Sequence, residues 1–191
     1  MSGTVYLTFD DGPDPRWTPP VLELLAQARM QATFFAIGEC ARREPALLRQ
    51  VAAAGHAIGN HTFSHRHPWL MRSQAARAQV RDGAKALSDA AGREPFLYRP
   101  PHGRVRPCMT DEAKLHGERM VLWNRSAIDW GWLGTAPRIA ARLARIRAGD
   151  VVLMHDGQNV HNRPDQLLQV LPDFLRELDR RDLRSSALPA Y

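Results

Sequence analysis

The feature of this sequence that most constrains its fold is the alternation of short apolar segments with longer segments of helical periodicity. The predicted strands are Thr4–Phe9, Ala32–Ile37, Ala57–Asn60, Phe96–Arg99, Met120–Trp123 and Val151–Met154. The predicted helices are Pro19–Ala28, Ala41–Ala54, Gln74–Ala91, Pro137–Ile146 and Pro164–Leu178. Alternation of this kind predicts parallel strands with helices packed outside them. An open doubly wound sheet and a (β/α) barrel would both satisfy it.

Polar side chains stand at the ends of several predicted strands. Asp10 follows the first strand, His61 the third and His155 the sixth, while Arg99 ends the fourth. In a barrel, the C-terminal ends of all strands open on one face, where sites are built from residues distant in sequence. The pattern therefore favours a barrel-like α/β fold, although the predicted strands number fewer than eight. Because no repeat or linker is visible, the chain 1–191 is predicted to be one domain.

The composition excludes several classes of protein. The hydrophobic share of 44% and the charged share of 24% are close to globular averages. No apolar run is long enough to span a bilayer. The net charge of +6 comes mostly from scattered Arg residues, so we expect no nucleic-acid partner. Since Met1 leads straight into a strand-like segment, the sequence predicts a cytoplasmic protein, or an exported one that has lost its leader.

Two adjacent carboxylates, Asp10 and Asp11, end the first predicted strand within the segment Thr8–Pro13. Adjacent side chains on a strand point to opposite faces, but a tight turn can bring both to the rim. One carboxylate could then bind a metal while the other acts as a base. A capped turn is the alternative interpretation, because Asp and Gly favour turns anyway.

Two histidines four residues apart, His61 and His65, follow the third predicted strand. On a helical turn this spacing places both side chains on one face, close enough to share an ion. Neutral imidazole is a common ligand of zinc and related metals. Two unrelated histidines near a loop are the alternative, and the neighbouring His56 and His67 leave the assignment open on spacing alone.

Three further motifs carry side chains suited to chemistry. Arg99 precedes two prolines that favour extended backbone, so its guanidinium could grip a carboxylate bidentately or form a structural salt bridge. His155 could be a general acid if a carboxylate raises its pKa, or a structural histidine. Trp130, which follows Asp129, suits a carbohydrate cleft if it is exposed, although large aromatics are often buried.

Together these motifs resemble the polysaccharide deacetylases, also called carbohydrate esterase family 4. The resemblance extends from about Val5 to Leu178, and the matching segments are Thr8–Pro13, His61–His65, Arg99–Gly103, Asp129–Trp130 and Leu153–His155. It implies an α/β fold that is a distorted, incomplete (β/α) barrel. It also implies hydrolysis of N-acetyl groups on an amino-sugar substrate, such as a chitooligosaccharide, peptidoglycan or related glycan, with release of acetate.

The resemblance implies a metal site as well. Asp11, His61 and His65 would hold a divalent cation. Two histidines and one carboxylate suit zinc, and cobalt, nickel, manganese or iron could occupy the same set of ligands. A cation of this kind lowers the pKa of its bound water and polarises a carbonyl oxygen, which an unreactive amide requires.

The remaining roles follow from the same resemblance. Asp10 would be the general base, positioned by Arg99, and His155 would be the general acid, tuned by Asp129. The oxyanion that forms would be held by the metal and by a backbone N–H near His102. The residues implied in substrate binding are His102, Trp130 and Leu153, with Leu153 lining the pocket for the acetyl methyl group.

Two positions depart from the family pattern. His102 stands where the family usually has an aromatic residue such as Tyr, and could alter the cleft wall or approach the metal. Ser126 replaces an Asp that is common in the fourth motif, although Asp129 remains, so we expect the acid to stay tuned. These changes bear on substrate preference.

Two other functions stay open on sequence alone. One is a metal-dependent deacylase of a small N-acyl glycoside, a glycolipid or a cyclic amide. The other is an inactive carbohydrate-binding protein on the same scaffold. Acetate release from short chitooligosaccharides and from small N-acyl compounds would separate these possibilities.

Overall fold

The computed structural model of the chain describes residues 3–190. Its strands are β1 Gly3–Asp10, β2 Thr33–Ala36, β3 Ala57–Asn60, β4 Leu97–Tyr98, β5 Arg119–Met120, β6 Arg125–Ser126, β7 Val151–His155 and β8 Leu183–Ser185. Its helices are α1 Thr18–Gln27, α2 Gly38–Arg43, α3 Pro45–Ala53, α4 Ser73–Ala91, α5 Pro107–Leu115, α6 Ala136–Leu143 and α7 Pro164–Arg180. Short 3-10 turns cover Pro68–Leu70, Pro101–Gly103 and Gly131–Leu133.

The strands form one parallel sheet in the order β5-β4-β3-β2-β1-β7-β6. The last strand, β8, pairs with the first residues of β1. Within residues 3–190, the edge strands β5 and β6 do not pair with each other, so the curled sheet stays open. This arrangement confirms the expected distorted, incomplete (β/α) barrel.

The central strand β1 separates the core from the interior of the half-barrel. Its side chains alternate between the two faces of the sheet, as on any strand. Val5, Leu7 and Phe9 are fully buried in the main hydrophobic cluster, which includes residues of the surrounding helices. Burial of each such side chain stabilises the fold by about 1.5–3 kcal/mol. Thr8 and Asp10 point the other way, towards the site.

The helices pack around this sheet. Most of them were predicted from the sequence. The predicted helix Ala41–Ala54 is wrong as a single element, because the chain breaks at Glu44 before Pro45 starts a new helix. Helix α5 was missed. None of the helices within residues 3–190 is long and apolar enough to cross a membrane.

The number of strands was also underestimated. The predicted strand Met120–Trp123 is instead Arg119–Met120, and the strands β6 and β8 were not predicted. The described residues therefore form eight strands, where fewer than eight were expected. Strands of two or three residues are too short to show a periodicity in the sequence. They form because they pair with neighbouring strands, which the local sequence does not reveal.

Candidate metal centre and active site

The parallel register of the sheet brings distant polar residues to one edge. Asp10 of β1 lies beside His155 of β7 on one side and beside Phe35 of β2 on the other. His61 directly follows β3 and Arg99 directly follows β4. Because the C-terminal ends of these strands share one edge, Asp10, His61 and His155 line a common cleft of about 340 Å³, and Arg99 lies behind Asp10.

The turn after β1 holds both carboxylates on the cleft side. Asp11 takes a left-handed backbone conformation with φ of 76°, which redirects its side chain after the strand ends. The Nε2 atom of His61 lies 3.7 Å from Oδ2 of Asp10 and 3.5 Å from Oδ1 of Asp11. The turn thus places the two adjacent carboxylates around one imidazole.

Two glycines make this turn sterically feasible. A Cβ added to Gly12 would lie 2.4 Å from Oδ2 of Asp156. A Cβ added to Gly157 would lie 2.1 Å from the backbone oxygen of Asp11. The turn and the loop after β7 therefore approach each other more closely than any residue with a side chain would permit.

The two histidines converge without a helix, so the helical reasoning behind their spacing is wrong. The segment 61–65 is an irregular loop in which Thr62 has φ of 67° and His65 has φ of 53°. The loop is held by hydrogen bonds such as that from the Thr62 N–H to Oδ1 of Asn60, at 2.9 Å. The rings of His61 and His65 nevertheless lie 4.9 Å apart between centroids.

Asp11, His61 and His65 offer three ligand atoms that all lie within 4.8 Å of one another. The Nδ1 atom of His61 is 2.8 Å from the carbonyl oxygen of Arg99, so Nδ1 carries the hydrogen and Nε2 presents its lone pair to the cleft. Burial lowers the pKa of His61 to about 4, which keeps the ring neutral at pH 7. The Oδ1 atom of Asp11 is buried and has no hydrogen-bond partner among the described residues.

The charge on Asp11 is supported by its surroundings. Burial alone would raise the pKa of Asp11, but the neighbouring His65 and His155 and the hydrogen bond from Asn162 outweigh it and lower this pKa. An ionised carboxylate oxygen without a partner, facing two imidazoles, is the donor set that a divalent cation takes. These three residues therefore fit the metal that the sequence implied.

Arg99 holds Asp10 through one hydrogen bond rather than two. Its Nη1 atom donates to Oδ1 of Asp10 at 2.8 Å and to Oγ1 of Thr8 at 2.7 Å. Its Nε atom donates to the carbonyl oxygen of Val121 at 3.1 Å. Of the two possibilities that the motif left open, the bidentate grip is not formed, because the other donors of this fully buried guanidinium bind the chain after β5.

His155, on the strand next to Asp10, is paired with Asp129. The Nδ1 atom of His155 lies 2.9 Å from Oδ1 of Asp129, and the backbone N–H of His155 donates to Oδ2 at 2.8 Å. Burial alone would lower the pKa of His155, but the Asp129 carboxylate raises it to about 9. The ring is therefore protonated at pH 7, with Nε2 left for the cleft.

Comparison with known proteins agrees with this geometry. The family model for polysaccharide deacetylase matches residues 2–121. The chain belongs to this family. It is 37% identical over 182 residues to a peptidoglycan-N-acetylglucosamine deacetylase of Bacillus cereus, which covers 94% of this chain and 84% of that protein. It is 36% identical over 203 residues to a chitooligosaccharide deacetylase of Bradyrhizobium sp., covering 99% and 91% of the two chains.

Solved structures give the same assignment. The family 4 carbohydrate esterase of Streptomyces lividans, solved with acetate, has a TM-score of 0.87 to this chain at 29% identity, covering 98% of this chain and 94% of that one. The resemblance inferred from the sequence motifs is therefore confirmed. This polysaccharide deacetylase is an amide hydrolase of the family's N-deacetylase type.

The walls of the cleft in this polysaccharide deacetylase contain the residues expected to meet substrate. Leu153 is buried and lines the cleft, and the Trp130 ring stands edge-on to His155, with centroids 5.4 Å apart. Sequence reasoning missed several other residues that line the cleft, namely Gly103, Trp123, Asn159, His161 and Asn162. Most of these residues lie in loops that follow strands. Their position after a strand could therefore have been used to predict that they line the cleft.

The two departures from the family pattern have distinct surroundings. His102 has φ of 57°, lines the cleft and packs edge-on against His65 with centroids 4.6 Å apart. Ser126 accepts a hydrogen bond from the backbone N–H of Ile128 at 3.0 Å and so caps its own loop. His102 thus alters the wall beside a candidate metal ligand, while Asp129 keeps its contact with His155.

Proposed function

We propose that this polysaccharide deacetylase removes N-acetyl groups from amino sugars of a glycan such as chitooligosaccharide or peptidoglycan, releasing acetate with the help of one divalent cation. The observation that supports it most is the arrangement of two supported side chains around the three candidate metal ligands. Asp10 and His155 both line the cleft that contains Asp11, and each is held from behind, Asp10 by Arg99 and His155 by Asp129. The curated relatives named above are deacetylases of N-acetylglucosamine-containing or chitooligosaccharide substrates.

Asp11, His61 and His65 would hold the cation. Zinc fits two neutral imidazoles and one carboxylate best, and cobalt, nickel, manganese and iron share these ligands. A bound cation of this type supplies positive charge that polarises a carbonyl oxygen and acidifies water. The free oxygen of Asp11 lies 3.5 Å from Nε2 of His61, the atom that carries the lone pair, so both are available to the same cation.

Asp10 would take the proton from the attacking water. Its Oδ1 atom is occupied by Arg99, which leaves Oδ2 as the oxygen that can accept a proton. Oδ2 is also the atom near Nε2 of His61, at 3.7 Å, and so faces the ligand group. Arg99 orients this carboxylate and pairs with it in the buried site, where an unpaired charge would be costly.

His155 would give a proton to the leaving nitrogen. An amine is a poor leaving group until it is protonated, so a positioned acid is required on the side opposite the base. Asp129 holds Nδ1 and keeps the ring charged, which leaves the Nε2 proton for transfer. The products are acetate and a free amino sugar.

The shape of the cleft supports a sugar substrate with a small acyl group. Leu153 lines the cleft on the same face of β7 as His155 and would contact the acetyl methyl. Trp123 and Trp130 line the same cleft and offer flat apolar faces suited to the C–H face of a sugar ring. We therefore propose that the acetyl group lies against Leu153 and the sugar against the two tryptophans.

The test is acetate release from short chitooligosaccharides by metal-free protein with and without added Zn²⁺, with products scored by mass. We expect release only with metal. Asp10→Asn should retain bound metal but lose turnover, and the control Asp89→Asn, on the exposed face of α4, should match wild type. Full-rate deacetylation by Asp10→Asn would show that the base assignment is wrong.

The same assay separates the remaining alternatives. Faster release from small N-acyl glycosides, glycolipids or cyclic amides than from any oligosaccharide would favour the small-molecule deacylase. Binding of sugar without acetate release, despite added metal, would favour an inactive carbohydrate-binding protein.

A further inference from the structure

The two carboxylate oxygens of Asp11 lie in different surroundings. Oδ2 accepts hydrogen bonds from Nδ2 of Asn159 at 2.8 Å and from Nδ2 of Asn162 at 2.7 Å. Oδ1 has no hydrogen-bond partner among residues 3–190 and lies 3.2 Å from Nε2 of His65. One oxygen is thus saturated by amide donors and the other is free.

The hydrogen-bond network fixes which end of each amide faces Asp11. Oδ1 of Asn159 accepts from the backbone N–H groups of His161 and Asn162, both at 2.8 Å, so its NH₂ group must be the end that meets Asp11. Nδ2 of Asn162 also donates to the carbonyl oxygen of Gly157 at 3.0 Å. Each NH₂ group therefore faces an acceptor, and flipping either amide would break several bonds.

The segment that carries both amides is anchored to the rest of the site. The backbone N–H of Gly131 donates to the carbonyl oxygen of His161 at 2.8 Å. The backbone N–H of Arg163 donates to the carbonyl oxygen of Asp129 at 2.8 Å. Asn162 is itself buried, so water does not compete freely for its amide. These contacts hold the segment, and with it both amides, against the site.

We propose that Asn159 and Asn162 are positioning residues that decide how Asp11 binds the cation. Their donors occupy Oδ2, which leaves Oδ1 as the single oxygen directed at His61 and His65. Hydrogen bonds to a ligand of this kind fix its orientation and are worth about 10–100-fold in metal affinity. The inference rests on the proposed metal site and adds the residues that aim its carboxylate.

The test compares metal binding by the Asn159→Ala/Asn162→Ala double variant with that of wild type. Zn²⁺ affinity is measured on metal-free protein by competition with a chelator, and the visible spectrum is recorded with Co²⁺. We expect affinity about 10–100-fold weaker and a changed Co²⁺ spectrum, because Oδ2 becomes available as a second ligand atom. Asn124→Ala, which removes an amide bonded to Asp150 and Val151, should bind both ions as wild type does.

A second variant keeps the test decisive if the double variant unfolds. Asn162→Leu keeps the branched shape of the side chain but removes its amide group, and we expect about tenfold weaker Zn²⁺ binding. Affinity within about twofold of wild type in a folded variant would overturn this inference. If wild-type protein binds no Zn²⁺ or Co²⁺, the proposed metal site itself fails, which is a different outcome.

Discussion

Replacing Glu118 by Gln is expected to remove a loss of stability that wild-type protein suffers as the pH rises. Glu118 is 2% exposed, and Nδ2 of Asn60 donates to its two carboxyl oxygens at 2.9 and 3.1 Å. Burial raises the pKa of Glu118 from 4.5 to about 8, against the opposing effect of the Asn60 hydrogen bond. The folded protein therefore holds a proton at pH 7 that the unfolded chain releases.

The sign and size of the effect follow from this difference. Below pH 4.5 the carboxyl is protonated in both states, so its contribution to stability is complete. As the pH rises towards about 8, only the folded state keeps the proton, and the free energy of unfolding falls by up to about 1.4 kcal/mol per pH unit. Over the whole interval the loss is roughly 4 to 5 kcal/mol at most. A neutral amide in place of the carboxyl does not titrate, so Glu118→Gln escapes this loss.

The assay is urea denaturation of metal-free protein, followed by tryptophan fluorescence, at several pH values between about 5 and 9. We compare the free energies of unfolding of the two proteins, because the contributions of all other titrating groups cancel in the difference. The value for Glu118→Gln minus that for wild type should rise by several kcal/mol across this interval. Glu23→Gln, at an exposed position on α1, should show a flat difference. If the difference for Glu118→Gln is also independent of pH, the pKa of Glu118 is not raised in the folded protein.

Three further predictions concern the site. Asp129→Asn should move the alkaline limb of the pH–activity profile down by at least about 2 pH units, since the carboxylate that raises the pKa of His155 to about 9 is lost. An unmoved limb would exclude His155 as the acid. Gly12→Ala should reduce the free energy of unfolding in urea by about 1–3 kcal/mol, because its Cβ would lie 2.4 Å from Asp156, and unchanged stability would contradict that close packing. Chelation should abolish acetate release and added Zn²⁺ should restore it, whereas activity that survives complete metal removal would contradict the mechanism.

The sequence predicted the parts of the fold that local pattern determines. The strands β1, β2, β3 and β7 are long enough to be recognised, and polar residues at the end of β1 and β7 and directly after β3 marked the site. Asp10 and His155 come together because their strands pair in parallel register. Placement at strand ends was therefore sufficient to gather most of the site.

The rest depends on long-range contacts that local pattern does not encode. His61 and His65 meet through an irregular loop held by Asn60, where spacing suggested a helical turn. Arg99 divides its donors between Asp10 and backbone carbonyls of the chain after β5, which the motif alone does not reveal. Asn162 reaches Asp11 across 151 positions of sequence, so only the folded structure shows the contact.

Binding of one divalent ion jointly by Asp11, His61 and His65 underlies the whole proposed reaction. It can be measured by calorimetric titration of metal-free protein with Zn²⁺, using wild type, Asp11→Ala and the control Asp89→Asn. We expect one tightly bound ion per chain for wild type and the control, and loss of tight binding for Asp11→Ala. Zinc bound as tightly by Asp11→Ala as by wild type would show that Asp11 is not a ligand.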